Sequence, residues 1–184
     1  MPNNHAVVNL MHCVAWDVDA YNIAGICATD VDNGTLLSVS SITTATPNNA
    51  RTTVTGFQYN VAVPAANATG MWIAKTPIPG TSTDLAVQTF SDPRYFYNKA
   101  GEPISLAYLQ AGVDVIEVTG EAFATGSTPT DQAAYTFVSV NTAGKLVMAN
   151  AAPASGTYFV MLGHHTIDCG QELVPSYILK CMRN

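Results

Sequence analysis

Hydrophobic and polar residues along this chain alternate in short runs broken by Gly, Pro and Asn. No segment sustains an i, i+3, i+4 apolar stripe over three helical turns. The organising stretch is Arg94–Phe123. There the aromatic run Tyr95-Phe96-Tyr97 leads into a turn at Asn98–Gly101. An extended segment over Ile104–Leu109, a second turn at Ala111-Gly112 and an apolar strand over Val113–Val118 follow. Upstream, Val14, Trp16 and Val18 share one face of a predicted strand over Cys13–Val18, and Ile23–Ala28 predicts a second. Asp32-Asn33-Gly34-Thr35 then precedes Leu36–Val39. Asn-Gly accepts the positive φ angles of a type I′ turn, so a β-hairpin is predicted there. Ser40–Thr55 reads as a loop or weak edge strand, Gly56–Val63 as an alternating strand stopped by Pro64, and Met71–Ala74 as a short apolar strand. Tyr135–Val140 and Lys145–Ala149, around the turn Asn141–Gly144, predict another hairpin. Thr157–Leu162 is continuously apolar and predicts a strand buried on both faces, and Leu173–Met182 reads as a closing strand.

Many short strands at close spacing predict an all-β fold, a β-sandwich or β-barrel of mainly antiparallel strands with little helix. Residues 1–12, with the polar tip Pro2-Asn3-Asn4-His5, read as an extended N-terminal arm. Residues 13–184 read as a single β-rich domain, with the loop near 125–130 the one place where it could subdivide.

Composition sharpens this picture through charge. Only 11% of the 184 residues are Asp, Glu, Lys or Arg, against roughly 25% in an ordinary soluble domain. Ala, Thr, Ser, Asn and Gly must therefore cover much of the exterior, and such a surface loses little free energy on dehydration. That predicts a subunit packed against other subunits. The net charge is -6 and the seven Lys and Arg are scattered, so no basic footprint for nucleic acid or an anionic membrane exists. No apolar run approaches the roughly 20 residues of a spanning helix. The first residues lack the basic-then-apolar order of a secretory leader. With no export signal and no CxxC pair, the default for Cys13, Cys27, Cys169 and Cys181 is reduced, buried thiols, with a Cys13–Cys27 or Cys169–Cys181 bridge as the alternative.

Reactive side chains are densest at His164-His165-Thr166-Ile167-Asp168-Cys169 with Glu172. Adjacent histidines on a strand point to opposite faces, so at most one could join a given centre. The Asp30–Gly34 run departs from the calcium-loop template, because its glycine comes too early and no terminal Glu follows. Asn33-Gly-Thr and Asn67-Ala-Thr fit the glycosylation sequon, but without a secretory route they read as turns. Asp17 with Asp19, and Asp114 with Glu117, are carboxylate pairs. Of these, Asp17 and Asp19 read as solvated acids opposite Trp16 and Val18. No phosphate-binding loop, nucleophile elbow or zinc-protease motif is present. The expectation is therefore no catalytic residue, no metal ligand and no cofactor.

Three segments in order carry a family resemblance: Asp32–Leu36, Met71–Pro77, and Phe96–Glu102 leading to Leu109, Gly112 and Val113–Phe123. Together they resemble the small proteins that decorate or cement the heads of tailed bacteriophages. The pattern departs from the family where Val113 precedes Asp114 and where Glu117 sits inside the strand. The resemblance implies a virion structural protein without enzymatic activity, made in the host bacterial cytoplasm. It would bind and stabilise the outer surface of the major capsid protein as a homo-oligomer, with a trimer favoured. Pro2, Asn3, Asn4 and His5 are then the candidate capsid contacts, on an arm whose removal would leave the fold intact. The alternative is a glycan-binding or host-attachment module using exposed Tyr59 and Trp72. A third reading is a small hydrolase using His165 and Cys169.

Overall fold

The computed structural model describes residues 4–10, 21–42, 58–78, 92–129, 136–170 and 172–184. The strand predicted over Cys13–Val18, with Asp17 and Asp19, lies outside them, as do Pro2, Asn3 and most of Ser40–Thr55. The described fold is nearly all β, as the alternation predicts. Strands β1 (Asn22–Cys27), β2 (Leu36–Ile42), β3 (Gln58–Ala62), β4 (Trp72–Ala74) and β5 (Pro103–Tyr108) form a closed barrel in the order β1-β3-β2-β4-β5. Strands β6 (Val115–Thr119), β7 (Phe137–Val140), β8 (Leu146–Ala149), β9 (Tyr158–Asp168) and β10 (Leu173–Arg183) form a second sheet in the order β6-β10-β9-β7-β8. The change from barrel to sheet falls between β5 and β6.

A closed ring of five strands cannot alternate direction all the way round, so one neighbouring pair must be parallel. That pair is β1 and β3, in register from Ala24↔Gln58 to Cys27↔Val61. Closure also corrects the hairpin expected at Asn33-Gly34. The turn forms, with Gly34 at φ 83°, but β1 pairs with β3 and β5 rather than with β2. Turn chemistry sets a local reversal, whereas ring closure sets which strands become neighbours. The turn instead extends β4: Gly34 N donates to Ala74 O, and the Asn33 side chain exchanges two hydrogen bonds with the Thr76 backbone. The second hairpin is as expected, with β7 and β8 paired from Phe137↔Ala149 to Val140↔Leu146.

Alternation along the barrel strands serves two cores at once. Cys27, Leu37, Val61, Ala74, Ile104 and Leu106 fill the barrel. Their neighbours Leu36, Ile73 and Ala107 point outward and pack on Ile116, Val118, Phe159, Met161 and Leu179 of the second sheet. Strands buried on both faces are thus found in the barrel wall. The expectation for Thr157–Leu162 is corrected: Phe159 and Met161 are buried, Tyr158 and Val160 are half-buried, and Leu162 is exposed. The strand predicted from Val113 begins at Val115, and Val113 is exposed.

Within the extended arm expected over residues 1–12, the described residues 4–10 pack on their own chain. Ala6, Val7 and Val8 are buried, and Val8 bridges Val118 antiparallel, so the segment covers the outer edge of β6. Thr119 N donates to Val7 O, and Asn9 N to Glu117 O. An unprotected strand edge and three small apolar side chains outweigh the polar tip in deciding where this segment lies.

Two polar devices bolt the barrel to the sheet. Gly144, at the β7–β8 turn, has φ 74° and accepts from Leu36 N at 2.9 Å. A Cβ there would lie 2.2 Å from Leu36 O. The Asn184 amide donates to Met71 O and Leu109 O and accepts from Met71 N and the Thr157 hydroxyl, at 2.7–2.9 Å.

Three changes test this frame by urea unfolding. Gly144→Ala, strained in φ and overlapping backbone, is expected to lose at least about 3 kcal/mol. Asn184→Ala is expected to lose about 2 kcal/mol, at roughly 0.5–1.5 kcal/mol per net hydrogen bond with some replacement by water. Deletion of residues 1–10 is expected to unfold the chain. A truncated protein with the full-length midpoint would show that the segment is an appendage after all.

Candidate functional site: a groove beneath the N-terminal segment

After β6 the chain makes a single 3-10 turn at Gly120–Ala122. With the loop that follows, this turn faces the N-terminal segment across an open groove of about 730 Å³. Asn4, His5, Asp32, Glu121, Phe123 and Lys145 are among its lining residues, and Val174, Pro175 and Tyr177 of β10 form one wall. His5 is held by its backbone, which donates to Arg94 O, and by its ring, stacked on Tyr97 with centroids 4.9 Å apart.

Asp32 is the electrostatic centre of the groove. Its Oδ1 lies 2.6 Å from His5 Nδ1 and its Oδ2 accepts from Lys145 Nζ at 2.7 Å. Lys145 Nζ also donates to the backbone oxygen of Glu121 at 3.0 Å. The carboxylate of Glu121 is placed differently: its Oε2 is enclosed, and no described residue donates to it. Phe123 and Tyr177 meet edge to face at 5.2 Å. The Tyr177 hydroxyl donates to Pro129 O, and burial raises its pKa, with Glu121 adding to the effect.

A second ionic cluster lies beside the β9–β10 connection. Arg94 binds both oxygens of Asp92 and reaches Glu172 at 2.9 Å. The Arg94 hydrogen bonds hold the Asp92 carboxyl below its ordinary range, while Asp92 keeps the guanidinium firmly protonated. Cys169 is fully buried here, and its thiol is pushed up to about 11, first by burial and then by the Asp92 carboxylate. A thiol so placed stays protonated and is a poor nucleophile.

His164 and His165 are both exposed on β9. His165 Nδ1 is 3.6 Å from Oε1 of the wholly buried Glu117. The same carboxylate accepts from the Ser176 hydroxyl at 2.5 Å and from Asn9 Nδ2 at 2.9 Å. Serine, histidine and glutamate therefore meet, but with the carboxylate between the hydroxyl and the imidazole. In a hydrolytic triad the imidazole must take the hydroxyl proton, and Ser176 is buried. Cys27, Cys169 and Cys181 are free and buried, as expected for small apolar residues. Among the described residues no three His, Cys, Asp or Glu are grouped to hold a metal, and no helix is long and apolar enough to cross a membrane.

Of the sequence-predicted site residues, Asn4 is exposed and lines the groove, while His5 is tied to Asp32. Tyr59 and Trp72 are half-buried at the same end of the barrel, where β1 and β3 begin and β5 ends. Trp72 packs edge to face on Tyr108 at 5.2 Å, and Tyr21 stacks on Tyr108 at 6.5 Å. The groove itself left no signal in the sequence. Asp32 reads locally as a turn residue, and its partners lie 27 and 113 positions away. No protein-family model matches the chain, and neither a curated protein nor a solved structure is significantly similar to it.

Asp114 supplies a pH test of the junction between the two sheets. It is 1% exposed; its Oδ2 accepts from Gln110 N at 2.6 Å, and its Oδ1 takes no hydrogen bond from a described residue. Burial raises its pKa above the unfolded value. The folded state therefore binds that proton more tightly, and this contribution to stability falls as pH rises through the ordinary carboxyl range, about 4, to the raised value. Asp114→Asn is expected to be more stable than the wild type at pH 7, with the gap closing below about pH 4. Superimposable stability–pH curves for the two proteins would refute this.

Proposed function

We propose that this chain is a non-enzymatic structural protein of a tailed-bacteriophage virion. In this reading it decorates and stabilises the head by binding the outer surface of the major capsid protein, as a small homo-oligomer with a trimer favoured. It would be made in the host bacterial cytoplasm and end on the capsid surface. The observation that carries the reading is the far end of the β9–β10 pair. Strand β6 meets β10 only over Ser176–Lys180, and β7 meets β9 only over Tyr158–Val160. Past those limits the pair presents a largely exposed surface, although Cys169 and Val174 are buried. It shows Leu162 at 45% and Leu173 at 71% exposure, with exposed His164, His165, Thr166 and Pro175. Its two carboxylates are Asp168 and Glu172, and Glu172 is engaged by Arg94. Two exposed leucines among mostly neutral polar side chains suit a contact that stays covered, as against a shell. The charge-poor composition supports the same reading, and Pro2–His5 are its second proposed contact.

The test is co-sedimentation of the purified chain with empty expanded heads built from the major capsid protein of the same phage. Leu173→Asp should weaken binding by at least about tenfold, or about 1.4 kcal/mol, with an unchanged unfolding midpoint. Full binding by that variant, or none by the wild type, would count decisively against the proposal.

A glycan-binding role through Trp72 and Tyr59 is the second reading, favoured by the convergence of Tyr21, Trp72 and Tyr108 at one barrel end. Aromatic faces there could stack on sugar rings. On a glycan array this predicts a signal that Trp72→Ala removes. A blank array for the wild type would eliminate the reading.

A further inference from the structure

The groove beneath the N-terminal segment has a charge arrangement that favours one class of ligand. Two carboxylates and two basic groups line it, but they are not distributed evenly. Lys145 and His5 both engage Asp32, at 2.7 and 2.6 Å. Lys145 meets Glu121 only through the backbone oxygen. The Glu121 carboxylate is left without a cation among the described lining residues, and its Oε2 is enclosed with no donor. With one oxygen enclosed and unbonded and no described cation beside it, Glu121 is the less compensated of the two carboxylates, and a positive charge drawn against it lowers that cost. An anionic ligand would meet two carboxylates while both basic groups were occupied. The walls add a second requirement. Phe123, Val174 and Tyr177 form an apolar side, Thr125 and Thr128 a neutral polar one. The volume, about 730 Å³, lies within the range typical of ligand sites.

We propose that this groove binds an alkylammonium or guanidinium group. Glu121 is its counter-ion, and the Phe123–Tyr177 wall holds the aliphatic stem that carries it. Long cationic side chains behave in this way, laying apolar stems on apolar surface while the head finds an acceptor. An aromatic wall adds attraction for the cation itself. The same chemistry is offered by a lysine or arginine side chain of a partner protein and by a free polyamine. The proposal does not depend on the virion assignment.

The experiment is an NMR titration of the full chain at low ionic strength. Its probes are N-acetyl-lysine methylamide, N-acetyl-arginine methylamide and spermidine, with N-acetyl-norleucine methylamide as the uncharged control. Saturable shifts confined to the amides around Glu121, Phe123 and Tyr177 are expected with the cations and not with norleucine. Glu121→Gln, which keeps the shape, should weaken cation binding by at least about tenfold. Lys145→Met should strengthen it, because Asp32 then loses its lysine and joins Glu121 as an acceptor. Tighter binding of the capped amino acids than of spermidine would identify a protein side chain as the ligand, and the reverse order a free polyamine. The absence of saturable shifts with all three cations would overturn the proposal. So would equal binding of norleucine, or undiminished binding by a folded Glu121→Gln variant.

Discussion

The structure depends on a part of the barrel wall, in β2, β4 and β5, that is buried on both faces. In β2, β4 and β5 the consecutive pairs Leu36–Leu37, Ile73–Ala74 and Leu106–Ala107 are all buried, one member toward the barrel interior and the other toward the second sheet. Side chains of successive strand residues point to opposite faces, so such a wall must be covered on both sides. The second sheet is that cover. Neither half could bury its apolar surface without the other, which makes barrel and sheet one cooperative body. The Gly144 contact and the Asn184 clasp fix how the two meet, and hydrophobic burial supplies most of the driving force.

Against this background the ionic groups take on particular roles. A chain with only 11% charged residues cannot cover itself with solvated ion pairs, and several of its charges serve as internal fasteners. Asp32 joins the N-terminal segment to the β7–β8 turn region through His5 and Lys145. Arg94 joins Asp92 to Glu172 across the β9–β10 connection. Glu117 ties β6 to β10 and to Asn9. In the most enclosed of these, Glu117 and the Asp92–Arg94 pair, removing one partner would leave the other poorly solvated. Of the side chains that looked most reactive in the sequence, Cys169 is enclosed and held protonated, whereas His164 and His165 are exposed.

What remains exposed is correspondingly informative. Apolar side chains reach solvent at the far end of the β9–β10 pair, and a half-buried aromatic group gathers at one barrel mouth. The groove under the N-terminal segment is the third such feature, and the one in which a charged group is left unsatisfied.

The sequence by itself determined where strands and turns lie. Period-two alternation marked Gln58–Ala62, and apolar runs bounded by turns marked Phe137–Val140 and Leu173–Arg183, to within a few residues, while Asn-Gly and Ala-Gly steps marked the reversals, because these properties depend on near neighbours. The burial expected of the thiols holds for the three described, Cys27, Cys169 and Cys181. Only the tertiary structure decided that β1 lies beside β3, that the N-terminal segment closes a sheet edge, and that β9 is buried on one face. Each of these follows from which surfaces are left to cover once the ring has closed, a property of the whole chain and not of any window in it. The groove belongs to the same class. His5, Asp32, Glu121 and Lys145 carry no shared local pattern, and distant loops brought together by two packed sheets make them neighbours.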